Sequence, residues 1–189
     1  MDTPAPQRML EIYLNDHLAA ATGGLALARR AARSNRDAEV MPRLAEIALE
    51  VDQDRRALLK IMRKLDVRVA RTKVVLGWAA EKAGRLKFNG SVRTRSPLSV
   101  LVEVEALCLG VQGKAAGWRT LLAFADHDAR LATDILQDLV NRAQHQFEVL
   151  ERIRVQMASD IAARPQDRGA SAPNAAEHPS TPENTTSSS

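Results

Sequence analysis

Apolar residues recur along this chain at spacings of three and four, the period of a helix, and the alternation of a strand is nowhere indicated. Four seams emerge. The first runs Leu14, Leu18, Ala21, Leu25, Ala28 and Ala32; the second runs Leu44, Ile47, Val51, Asp54, Leu58, Ile61 and Leu65. The third is Leu101, Val104, Cys108, Val111, Ala115, Trp118 and Leu122, and the fourth is Ala132, Leu136, Leu139, Ala143, Gln146, Leu150, Ile153 and Met157. Only Asp54 and Gln146 interrupt them with polar groups. Four helices of roughly 25 to 30 residues, each about 40 Å long, with heptad-like seams describe an all-α antiparallel bundle.

Punctuation sets the connections. Pro4 and Pro6 read as part of an N-terminal tail, Pro42 and Pro97 as helix starts, and Pro165, Pro173, Pro179 and Pro182 fall near the C-terminus. Short joints at 34–40 and 125–129 make hairpins of helices one and two and of helices three and four, with Asp128 predicted to cap the last helix. Helices two and three are separated by a long stretch, 66–95, holding an amphipathic segment at 72–87 with Val74, Val75, Trp78 and Ala79 on one side. That length crosses the bundle. The predicted organisation is a flexible tail at 1–7, a helical domain at 8–163 with its crossover at 66–95, and a disordered tail at 164–189, rich in Ser, Thr, Pro and Ala.

The chain has 189 residues, 45% of them hydrophobic and 26% charged, enough for one core and too apolar for disorder throughout. Its single cysteine, Cys108, excludes an internal disulfide framework, and 1–14 lacks an apolar run of signal-peptide length. The longest nearly apolar run, 98–111, is broken by Glu103 and Glu105 and is shorter than the roughly 18 residues of a membrane span. A cytoplasmic protein without a membrane helix is expected.

By helix count, helix length and the single crossover, residues 8–163 resemble the ferritin-like superfamily. That resemblance implies a four-helix bundle and, in its metal-bearing members, carboxylates from two helices with Glu-x-x-His from the other two. No Glu-x-x-His occurs here: Leu14 stands three residues before His17, Phe124 before His127, Arg142 before His145 and Ala175 before His178. Carboxylates that remain on the helices are Glu50 and Asp54 with Gln53 nearby, Glu103 and Glu105, and Glu148. Arg142 places positive charge where a metal site needs an anion.

Folding the first hairpin about residue 36 or 37 brings His17 and Asp54 to within about one helical turn of the same level. They read as a buried polar pair that fixes register, with Arg55 as another partner for Asp54. Alternatively, His17, Glu50, Asp54 and Glu105 are the remnant of a metal site. Gln146 reads as a buried hydrogen-bonding residue, His145 as exposed and Cys108 as an inert core thiol. No phosphate loop, nucleophile elbow or Cys-x-x-Cys appears, so no cofactor and no catalytic residue is assigned.

Two surfaces point to partners. Ala106, Gly110, Gly113 and Gly117 line up on the back of helix three, and glycine in a helix interior costs about 1 kcal/mol against alanine. The stripe reads as the seat of the crossover helix or as a homodimer or other protein interface. Between 63 and 95 the chain carries ten basic residues against Asp66 and Glu81, a balance of +8. Arg63, Lys64, Arg68, Arg71, Lys73, Arg93 and Arg95 therefore form either a solvated basic surface or a weak site for nucleic acid or another polyanion, joined by Arg29, Arg30, Arg33 and Arg36. The function expected is that of a non-catalytic interaction or scaffold module; the two alternatives are an atypical metal-binding or oxidase-like protein and a polyanion binder.

Overall fold

Prolines stand at the starts of three stretches whose seams predict helices, where an amide hydrogen has no helical acceptor to lose. In the computed structural model, which describes residues 6–35, 37–70 and 97–163, each of the three lies in a first turn. The described residues form four helices and no strand: α1 (Pro6–Ser34), α2 (Val40–Lys64), α3 (Pro97–Ala125) and α4 (Thr133–Ala162). Pro6 opens α1 instead of belonging to a tail. The predicted crossover helix at 72–87 and most of both predicted tails lie outside the described residues.

Contacts between helices set their directions. Gln7 near the start of α1 donates from Nε2 to the Leu65 carbonyl just past α2, and Arg55 Nε donates to Thr22 Oγ1 further along, so α1 and α2 are antiparallel. Arg130, just before α4, reaches Asp66 just after α2, and Arg142 of α4 meets Asp54 in mid-α2, making that pair antiparallel as well. Against α3, His17 of α1 meets Gly117 and Arg30 meets Glu103. Helices α1 and α4 thus point one way and α2 and α3 the other. The chain leaves α2 at one end of the bundle and begins α3 at the opposite end.

The seams become the core. Every member of the second seam is buried, as are Leu14, Leu18, Leu25, Ala28 and Ala32 of the first; Leu107 and Leu121 broaden the third. Burying such a side chain contributes about 1.5–3 kcal/mol each, and this packing, more than helix propensity, holds the four helices together.

Loop chemistry differs from the expectation at one joint. Asp37 Oδ1 accepts the amides of Glu39 and Val40 and so stands in for a cap at the start of α2. Asp128 does not cap α4, which begins five residues later after Ala132. Its carboxylate is instead taken by the Arg130 backbone amide at 3.0 Å and the Arg130 guanidinium at 2.7 Å. Helix α2 ends in a Schellman arrangement: Asp66 adopts φ 56°, its amide bonds the Arg63 carbonyl, and the Val67 amide bonds the Met62 carbonyl. Val67 is buried, and the reversal turns the chain back along α1. There Asn15 Nδ2 donates to the Arg68 carbonyl at 2.9 Å while its Oδ1 accepts the Ala70 amide at 2.7 Å.

Candidate functional site

Asp54 enters the core because its own seam carries it there: Val51 and Leu58, one turn to either side, are buried, and the carboxylate follows them to 1% exposure. An uncompensated charge in that position costs several kcal/mol, and three side chains from across the bundle meet it. Lys114 of α3 donates from Nζ to Asp54 Oδ2 at 2.5 Å. Arg142 of α4 donates from Nε to Oδ1 at 2.7 Å, and its Nη2 engages the same oxygen. Gln146, one turn further along α4 and fully buried, donates from Nε2 to Oδ2 at 3.1 Å and accepts the Lys114 ammonium on Oε1. One carboxylate therefore ties α2 to both α3 and α4.

Two cations share that carboxylate. Burial pushes the Lys114 ammonium below its ordinary 10.5, and Arg142 acts in the same sense, while Asp54 and Glu50 act against them. Glu50, one turn before Asp54, thus supplies a second negative charge to the cluster, and among the described residues its buried Oε2 has no hydrogen-bond partner. With the oxygens of Asp54 committed to four donated hydrogen bonds, the group is neither a free base nor an open ligand.

The four candidate metal ligands are not brought together. His17 is half-buried at the edge of its seam and turns toward α3: its ring lies against Gly117, stacks near Tyr13 at 4.3 Å between centroids, and its Nδ1 is 3.1 Å from the Tyr13 carbonyl. The expected His17–Asp54 pair is not formed, because Asp54 faces α3 and α4 and Thr22, not His17, stands against the neighbouring Arg55. Arg55 does not serve Asp54 either. Glu105 is half-buried on α3 with Arg154 at 4.0 Å, and Glu148 and Gln53 are exposed. Among the described residues no group of three His, Cys, Asp or Glu side chains is placed to hold a metal ion.

Other expectations resolve individually. Gln146 is buried and hydrogen-bonded, His145 is exposed, and Cys108 is a buried free thiol that burial pushes up to about 11. The glycine stripe divides. Gly117 is buried against His17 and is no part of an outward surface, whereas a Cβ at Gly110 or Gly113 would meet nothing within 4 Å among the described residues. Of the basic residues, Arg63, Lys64 and Arg68 are exposed; Arg29 pairs with Asp52 at 3.6 Å and Arg30 with the buried Glu103 at 3.1 Å, while Arg36, Arg71, Lys73, Arg93 and Arg95 lie outside the described residues.

Lys114 is the residue that the seams did not reveal. The signal was present in Leu107, Val111, Lys114, Trp118 and Leu121, a second three-four series on α3 with a lone charge at its centre. Comparison of the chain with protein-family models, curated proteins and solved structures finds no match to any of them. No helix among the described residues is long and apolar enough to cross a membrane.

Proposed function

We propose that this chain is a ferritin-like four-helix bundle whose central polar level serves architecture instead of chemistry, and that it works as a non-catalytic interaction or scaffold module. The helix directions support the ferritin-like reading, since one pair of hairpins joined end to opposite end is that superfamily's connectivity. One observation carries the functional half: the Lys114 ammonium bridges Asp54 and Gln146, with Arg142 on the other oxygen, so side-chain cations hold the space in which a metal ion would have to bind. Breaking such a network by removing one member is costly, but replacing all of it with apolar groups of similar size is neutral or stabilising.

The test follows from that asymmetry. A variant carrying Asp54→Leu, Lys114→Met, Arg142→Leu and Gln146→Leu keeps its helicity, its melting temperature and the set of proteins it retains from native lysate. Loss of that set with the fold intact assigns chemistry to the network. Elemental analysis of wild type purified without chelators is expected to find no stoichiometric metal; one metal ion per chain overturns the reading.

A second reading rests on the exposed Arg63, Lys64 and Arg68 where the chain leaves α2. A polyanion site there predicts heparin retention that falls steeply with salt.

A further inference from the structure

Asp66 with Arg130 and Asp54 with Arg142 set an antiparallel register between α2 and α4, and the same register carried toward the start of α2 brings Arg43 beside Ile153. At that level no hydrogen bond or ion pair joins the two helices among the described residues. Between them lies a groove of about 490 Å³, within the ~300–1,000 Å³ of small-molecule clefts. Its apolar lining is Val40 and Ile153, both buried, with Val155 49% exposed at the lip. Arg43 comes to it from α2 and Arg152 from α4. Both are exposed, and neither guanidinium has an ion-pair or hydrogen-bond partner among the described residues.

We propose that this groove binds a small monoanion with an apolar body, of the class of a medium-chain carboxylate. A guanidinium presents paired N–H donors that match the two oxygens of a carboxylate, and here one stands on each of the two helices that line the groove. The acids beside them fix the charge of the ligand. Glu151 is already held by Arg154 at 2.6 and 2.8 Å, which leaves Glu39 facing Arg43 and Arg152, so the groove favours one negative charge and disfavours a cation. The start of α2 is itself no anion site, because Asp37 Oδ1 accepts the amides of Glu39 and Val40. Recognition of the charge therefore falls to the two arginines. Val40, Ile153 and Val155 offer apolar surface that a bare inorganic anion does not use, so affinity rises with the apolar length of the ligand.

Calorimetric titration of the full chain with octanoate tests this. Saturable binding is expected, with octylammonium, of equal length and opposite charge, and acetate, which lacks the apolar body, each weaker by about tenfold or more. Arg43→Gln and Arg152→Gln should each weaken octanoate binding by about tenfold, while Arg63→Gln, at the other end of α2, leaves it unchanged. All three positions are exposed, and circular dichroism of each variant checks that the helices are retained. Absence of saturable octanoate binding, equal binding of octylammonium, or binding that survives the loss of either groove arginine overturns the proposal. Weakening by Arg63→Gln as large as by the groove variants would mean that octanoate responds to the general basic charge of the surface, and overturns it equally.

Discussion

The imidazole of His17 fills the place that a side chain on Gly117 would take: a Cβ built there would come 2.5 Å from His17 Cδ2 and 2.7 Å from Nε2. This is why the buried member of the glycine stripe is a glycine, and it separates Gly117 from Gly110 and Gly113. Gly117→Ala is expected to lose stability by about 1–3 kcal/mol despite alanine's better helix propensity, since either the His17 ring must leave its place or one of the two helices must shift. Adding His17→Ala restores part of it. Urea denaturation of the two single variants and the double variant measures the coupling; additive effects would show that the ring moves aside freely.

Asp54→Ala leaves Lys114 and Arg142 without their shared carboxylate, the situation in which a broken buried pair costs about 3–5 kcal/mol. Among the described residues Asp160 bonds only the exposed Gln156 of its own helix, and its replacement by alanine should stay within about 0.5 kcal/mol. Melting temperatures of the two variants compared with wild type check the contrast. Equal shifts would mean that the Asp54 network contributes no more than a surface hydrogen bond.

The helices were legible because each seam is long and its period unambiguous; Asp54 and Gln146 were legible as interruptions for the same reason. Partner choice was not. His17 sits at the edge of its seam, where a rotation of α1 decides between α2 and α3, and level counting along a hairpin fixes height but not azimuth. Lys114 was hidden because α3 is apolar on nearly every side, so several three-four series can be drawn through it and only one contains the lysine. Asp128 misled for a local reason, since Arg130 two residues on competes for the carboxylate that would otherwise cap a helix.

Lys114 also gives a pH signature. A lysine held below 10.5 in the folded chain by burial binds its proton more readily when unfolded, so the unfolded state carries more protons as pH rises toward 10.5, and stability gains over that interval. Lys114→Met removes the group. Wild type should therefore improve relative to Lys114→Met between pH 7 and pH 10.5, with no further change above. A difference that is flat across this range would show that Asp54 and Glu50 fully compensate the burial.

Cys108 titrates with the opposite consequence. Burial, reinforced by Glu151 and opposed by Arg154, raises the thiol from 9.0 to about 11. Between these values the unfolded chain releases a proton that the folded chain keeps, so the stabilisation is whole below pH 9 and is lost as pH rises through about 11. Cys108→Ala lacks the effect, and the gap between the two denaturation midpoints should move against wild type over that window. The same shift leaves about a hundredfold less thiolate in the folded protein than in a free cysteine near pH 8, and thiolate is the reacting form. Labelling by a thiol reagent at pH 8 should thus be at least a hundredfold slower in native protein than in urea, and the native rate should track the rate at which α3 and α4 separate. Native labelling as fast as in urea would place the thiol at the surface and remove the basis for both expectations.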